Sequence, residues 1–448
     1  MISKKILLLF LIFYSFSAIS QVKISIHVDQ ATDSMYYLTR YYGDKFQLVD
    51  TTFTDNEYIT FEDETNHPAG IYLLVDSKKN RLMEFLLEED QQFEIYSVQA
   101  ENGNQLRCEG SVMTDLFFEQ MHQTNLIYSR IQEQAKTEDS RPKIDSLLNE
   151  LKAIKSEIIE QYPDSLLSKI LLAMNEPEVP ATLKQDQKAA YYYYKAHFWD
   201  DIDLSDDRLL RTPLIYNKLD QYFEQLVPQV SDSITMEIDS LIEQTNGNKK
   251  VRDYLIWHFT DQYQNPKIMG LDKVFIHMAD TYFSQLEITN TSESVREKIL
   301  SRADQIRNLT LGSPAPNLWL VDTSDSFRTF KDITTDYLVL FFWDHECGVC
   351  KKELKVLQEL YHASDSLFEV FAISANADFP AWKNYIREHK LDWVNVNGMK
   401  SMTDDFHDLY DIYGTPVIYV LDSKRNIIAK RIKAEQISLV IAHDQKIK

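Results

Sequence analysis

The sequence predicts a multidomain chain: an N-terminal all-β sandwich, a central all-α bundle and a C-terminal α/β domain. Three observations carry this. Apolar residues recur with a period of two from Val22 to about Gly110, with a helical period from Val112 to Asn308, and in alternating strand and helix runs from Leu311 onward. At 448 residues the chain is too long for one ordinary domain. Its 44% hydrophobic and 12% aromatic content lets each part bury a core. A formal net charge of −22 argues against nucleic acid and anionic membrane surfaces as partners.

Residues 1–20 read as a signal peptide. Lys4 and Lys5 form a short positive region, Ile6 to Phe16 is apolar, and Ala18-Ile19-Ser20 places small residues where a signal peptidase cuts. An uncleaved anchor is the competing reading, but the run is short against a bilayer span of about 20 residues. No later run is long and apolar enough to span a membrane after signal cleavage. Export places the protein in the periplasm or cell envelope, an oxidising compartment, where 3 cysteines is sparse usage.

The domain expected over residues 21–111 begins with Val22, Ile24, Ile26 and Val28 alternating with polar neighbours. Strand-like runs follow at Met35 to Tyr41, Gln47 to Phe53, Glu57 to Phe61, Gly70 to Val75, Leu82 to Leu87 and Gln92 to Tyr96. Turn signals separate them, Asn102-Gly103-Asn104 among these, and the spacing suggests an antiparallel sandwich or barrel. Cys108 near its end reads as a packing residue. Residues 112–308 then carry nine amphipathic runs: Thr114 to Gln132, Lys143 to Gln161, Asp164 to Met174, Asp186 to Trp199, Leu214 to Leu226, Ser233 to Gln244, Lys249 to Tyr263, Asp272 to Phe283 and Ser294 to Arg307. Prolines stand at their ends, where the missing N–H costs nothing. The aromatic run Tyr191 to Tyr194 with Phe198 and Trp199 reads as core and interface. Asp200, Asp201, Asp203, Asp206 and Asp207 read as a solvated acidic loop, because no glycine provides the sharp turn of a calcium loop.

Residues 309–448 alternate strand and helix and close with a hairpin and a helix, the pattern of a mixed α/β sheet. Within them Tyr337 to Trp343 is a buried strand that turns directly into an amphipathic helix, with Cys347 and Cys350 at the junction. Two cysteines three apart at a helix start can close a disulfide with little backbone movement. The helix dipole, with Lys351 and Lys352, lowers the pKa of Cys347 below its free value of about 8.5 and makes it the attacking thiol. Asp344 and Glu346 oppose that shift. A zinc site would need His345, His362 or the distant Cys108 to complete it, and no metal is expected.

Phe341-Phe342-Trp343 before Cys347-Gly-Val-Cys350, with Tyr413-Gly-Thr-Pro416 leading a later strand and Gly312-Ser-Pro-Ala-Pro316 opening the domain, resembles the thioredoxin fold. More narrowly the segment resembles the exported thiol-disulfide oxidoreductases of the TlpA/ResA type. That resemblance implies a redox-active disulfide between Cys347 and Cys350, a cis peptide at Thr415-Pro416, and a substrate face formed by Trp343, Thr415 and Pro416. It further implies that Glu353, one helical turn beyond Cys350, takes the proton of the resolving thiol. The Val349 side chain lends the thiolate no charge or donor, which favours the reducing end of a roughly −270 to −120 mV range. Peroxidatic chemistry is not expected, since Asp344 stands where it would need Thr or Ser. The two leading regions resemble domains of unknown function that precede such domains in Bacteroidetes-type bacteria, with His197-Phe198-Trp199-Asp200 and Asp206 to Pro213 as the similar stretch.

The expected function is a periplasmic disulfide reductase without a cofactor, with disulfide-containing exported proteins and an envelope thiol electron donor as partners. The alternative is an envelope binding or scaffold protein whose C-terminal domain docks partners and whose cysteine pair is a structural disulfide.

Overall fold

The computed structural model describes residues 21–28, 35–55, 57–100, 103–136, 141–285, 288–289, 291–364 and 366–447. The signal peptide expected over residues 1–20 lies outside them. Two compact units divide the chain between Leu226 and Val227.

In the first unit, β1 (Val22–His27), β2 (Met35–Tyr42), β3 (Lys45–Asp55), β4 (Tyr58–Asp63), β5 (Gly70–Asp76), β6 (Arg81–Leu87), β7 (Gln92–Ala100) and β8 (Gly103–Glu109) form an 8-stranded sheet ordered β6-β5-β2-β3-β4-β1-β7-β8. Ladders are antiparallel except that β1 runs parallel to β7. Parallel neighbours need a long crossover, and the strands between these two provide it. Strand β8 is an addition to the expected set. Its polar start at Gly103 to Gln105 reads as a turn locally, yet it pairs with β7 from Ala100 opposite Gly103 to Glu94 opposite Glu109. Gly110 then takes a φ of 102°, and a Cβ there would lie 2.5 Å from the Gln92 carbonyl oxygen.

Helices α1 (Val112–Gln134), α2 (Arg141–Gln161), α3 (Leu166–Ala173), α4 (Gln187–Ala196) and α5 (Leu214–Gln221) complete this unit, α5 continuing into a π-helical turn over Tyr222–Leu226. Thr114 on α1 donates to the Leu86 carbonyl at 2.8 Å, and buried Glu88 accepts the Leu167 N–H at 3.1 Å. The acidic run is spent on local partners. Asp200 pairs with His197, Asp201 accepts from Asn175, Asp203 from Ser205, and Asp206 and Asp207 bind Arg208 and Arg211.

The second unit holds α6 (Ser231–Gln244), α7 (Lys249–Gln264), α8 (Asp272–Met278) and α9 (Glu293–Arg307), followed by β9 (Trp319–Asp322), β10 (Phe327–Thr329), β11 (Tyr337–Trp343), α10 (Gly348–Ala363), β12 (Phe368–Ser374), α11 (Phe379–His389), β13 (Val394–Ser401), α12 (Phe406–Leu409), β14 (Val417–Leu421), β15 (Ile427–Lys430) and α13 (Ile437–Ile447). The 7-stranded sheet is ordered β10-β9-β13-β12-β11-β14-β15. Strand β11 pairs parallel with β12 and antiparallel with β14, so the sheet is mixed.

Every residue of β11 is buried, and alternate side chains enter different cores. Val339, Phe341 and Trp343 pack with Leu354, Leu357 and Trp382 on one face, while Leu338, Leu340 and Phe342 pack with Phe371, Tyr410 and Tyr419 on the other. Coverage on both faces is why this strand reads as an unbroken apolar run rather than an alternation. Each such side chain contributes about 1.5–3 kcal/mol by leaving water. The strand end that carries the cysteine junction is thereby held on a rigid base.

Candidate active site

Strand β11 delivers the chain to the top of the sheet, and its antiparallel register with β14 sets Val417 opposite Phe342. The residues just after β11 therefore meet those just before β14. Cys347 is the N-cap of α10, and its sulfur accepts the Cys350 N–H at 3.2 Å. Across the sheet end, the Cys347 thiol donates to the Thr415 carbonyl at 3.6 Å, and the Thr415-Pro416 peptide is cis. Both sulfurs are free thiols, Cys350 buried and Cys347 partly exposed.

The environments of the two sulfurs differ. Burial opposes ionisation of Cys347. Hydrogen bonds from the Cys350 thiol, from the Cys350 and Val349 N–H groups and from the Thr415 side chain nonetheless hold its pKa below the ordinary thiol value. Burial pushes Cys350 up to about 11, and its bond to Cys347 adds to the rise. Cys108, in the other unit, is pushed by burial to about 12 and pairs with neither cysteine.

The remaining expected residues fall as follows. Trp343, expected on the substrate face, is instead fully buried at the end of β11, stacked on Phe341 at 6.2 Å and tilted against Tyr385 at 5.6 Å, in the core cluster that also holds Cys350. Glu353 lies on α10 with Cys350, and its Oε2 accepts the Ala434 N–H at 2.7 Å, tying the helix to the turn before α13. Asp344 is turned to the Glu346 N–H at 2.8 Å and to Asn376 Nδ2 at 3.0 Å. Asn376 escapes sequence reading because it arrives from the far end of β12 and carries no local signal. Lys351 lies over the Tyr385 ring, 5.9 Å from its centroid. Among the described residues no group of three or more His, Cys, Asp or Glu side chains is placed to hold a metal, and no helix is long and apolar enough to cross a membrane.

A sheet of this order, with a dithiol capping the helix after its central strand and a cis-proline facing the sulfurs, defines a thioredoxin-like domain of the thiol-disulfide oxidoreductase class. Comparison agrees with this: residues 311–430 match the AhpC/TSA family. Residues 22–117 and 132–308 match two domains of unknown function, DUF4369 and DUF5106. The second match crosses the division between the compact units.

The chain is similar to the thiol-disulfide oxidoreductase ResA of Bacillus thuringiensis subsp. konkukian, 26% identical over 132 residues that span 29% of this chain and 72% of that one. Bacillus subtilis ResA is 24% identical over 122 residues, 27% of this chain and 66% of that one. Among solved structures, a domain of a possible thiol-disulfide isomerase from Cytophaga hutchinsonii is 38% identical with a TM-score of 0.28, covering 30% of this chain and 93% of that one. A thioredoxin-like protein from Bacteroides caccae is 18% identical with a TM-score of 0.49, covering 60% of this chain and 98% of that one.

Proposed function

We propose that this chain is an exported thiol-disulfide oxidoreductase of the periplasm or cell envelope that reduces disulfides in exported proteins through Cys347 and Cys350. The observation that carries the reading is the asymmetry of the two sulfurs, one partly exposed with ionisation favoured, the other buried with ionisation opposed. In this scheme the Cys347 thiolate attacks a substrate disulfide, forms a mixed disulfide and releases the first substrate thiolate. Cys350 then loses its proton to Glu353 and attacks the Cys347 sulfur, which closes the Cys347–Cys350 disulfide and releases the second substrate thiol. Two electrons pass from dithiol to substrate, and an envelope thiol donor restores the dithiol. Thr415 and Pro416 receive the extended substrate, and Trp343 serves from beneath as the floor under the dithiol. The scheme uses no cofactor and no metal. Residues 1–20 supply the export signal, and the regions 21–111 and 112–308 precede the catalytic domain at 309–448.

The test is a Cys350→Ser substitution in the native envelope. Mixed disulfides should accumulate on Cys347, identified by mass spectrometry of non-reduced complexes, and vanish in Cys347→Ser. Recovering none from folded, exported protein would favour the docking module with a structural disulfide.

A further inference from the structure

We infer that Arg302, on α9, is a positioning residue of the redox site: it steadies the Asp411–Thr415 loop and so holds Thr415 against the Cys347 sulfur. The inference rests on the redox reading above and extends the site into a helix that lies outside the AhpC/TSA match.

The loop is anchored at Ile412, which is buried and donates its N–H to the His407 carbonyl at 2.9 Å, but the residues on either side need other partners. Asp411 takes a φ of 52°, a left-handed conformation that disfavours a residue with a Cβ, and Tyr413 is 75% exposed. Two arginines supply those partners. Arg431 Nη2 donates to Asp411 Oδ2 at 2.7 Å and to the Asp411 carbonyl at 2.5 Å, while the Arg431 N–H donates to the Ile418 carbonyl at 2.7 Å. One residue thereby ties both ends of the cis-proline segment.

Arg302 approaches from the other side. Its Nη2 lies 3.7 Å from Asp411 Oδ2, and its guanidinium carbon sits 5.4 Å from the Tyr413 ring centroid and 5.9 Å from that of Phe275. The same Nη2 donates to Asn265 Oδ1 at 2.9 Å and to the Gln264 carbonyl at 3.3 Å, at the end of α7. The Arg302 side chain is 20% exposed and that of Asp411 5%, so solvent screens their attraction less than it would a surface pair. The guanidinium is thus fixed by acceptors on α7 and presents a charge to Asp411 and a planar cation to Tyr413. Two residues beyond Tyr413 comes Thr415, whose carbonyl meets the Cys347 thiol. Positions are passed along a chain of direct contacts and two peptide units. An extended substrate would bind at the Thr415 backbone, so loosening this loop falls on polypeptide binding rather than on attack at a bare disulfide.

The experiment uses the full chain with Arg302→Met, which keeps the aliphatic bulk, and Arg302→Lys, which keeps the charge. Two probes are compared: a short peptide with one intramolecular disulfide, and the small aromatic disulfide 5,5′-dithiobis(2-nitrobenzoate). Arg302→Met is expected to raise KM for the peptide about fivefold, the size of an ordinary coupling through packed contacts. At a pH above the Cys347 midpoint of both chains the small probe should stay near its wild-type rate, the alkylation midpoint of Cys347 should move upward, and Arg302→Lys should recover part of each change. Wild-type peptide KM and an unmoved Cys347 midpoint in folded Arg302→Met would overturn the inference. Should that variant not fold, Tyr413→Leu removes the exposed ring from the same contact and decides in the same way. A wild-type chain that reduces neither probe would count against the redox reading itself, and the alkylation midpoints would still decide the positioning.

Discussion

At the residue scale, Cys347 sits where N–H, thiol and hydroxyl donors converge, whereas Cys350 faces the apolar core beside Trp343 and Leu354. Since the thiolate is the nucleophile, iodoacetamide at neutral pH should label Cys347 alone in the native reduced chain. Cys350 and Cys108 should follow only as the pH nears about 11 and about 12. Peptide mass mapping reads this directly, and equal labelling of Cys347 and Cys350 would remove the asymmetry on which the mechanism depends. Glu353 makes a sharper case. Glu353→Gln keeps an oxygen to accept the Ala434 N–H and removes only the charge, so the fold should hold while resolution of the mixed disulfide slows by roughly tenfold or more. An unchanged rate and pH profile in stopped-flow measurements would leave Glu353 a helix-tethering residue. The spacing of Glu353 from Cys350 was legible in sequence; its grip on Ala434 was not, because that partner is brought in from the turn before α13.

At the scale of elements, the hairpin of β9 and β10 shows how a short polar segment is stabilised. Asp322 accepts from Ser324 N and Oγ at 2.8 and 2.7 Å, from Ser326 N at 3.0 Å and from Arg328 Nε at 2.9 Å. Burial opposes its ionisation, but these donors outweigh it and hold the carboxyl down at about 2. The unfolded chain titrates near 3.9. The depressed native value therefore adds stability that is complete above about pH 4 and is lost as the pH falls toward 2. Asp322→Ala should be less stable than wild type at neutral pH by urea denaturation, with the gap narrowing over that acid window. A gap independent of pH would assign the loss to packing. Strand β10, at three residues, and strand β8, with its glycine and polar start, carry too little periodicity to be read locally. Tertiary pairing made both strands.

At the scale of the whole molecule, the second unit joins helices to the sheet through a buried ion pair. Lys430 Nζ on β15 lies 2.6 Å from Asp272 Oδ2 on α8, with 9% and 7% of the side chains exposed. Removing one partner strands a buried charge, so Asp272→Ala should cost about 3–5 kcal/mol. Asp272→Leu with Lys430→Met should recover most of that, since well-packed apolar groups can replace such a pair at little cost. Urea denaturation of the full chain separates the cases, and a single substitution costing under about 1 kcal/mol would show that the pair is not effectively buried.

Apart from the cis-proline loop, which only the family resemblance implied, the sequence by itself determined the order of β, α and α/β regions, the buried strand β11 and the helix-capping dithiol. Each is written in local periodicity or in a motif whose chemistry is carried by adjacent residues. Tertiary structure decided what depends on distant partners: the parallel pairing of β1 with β7, the division of the helical stretch at Leu226 and Val227, the capture of Glu353 by Ala434, and the contact of Arg302 with Asp411. Those outcomes rest on which surfaces meet after folding, and residues far apart in the chain leave no mark of their meeting in either one's neighbourhood.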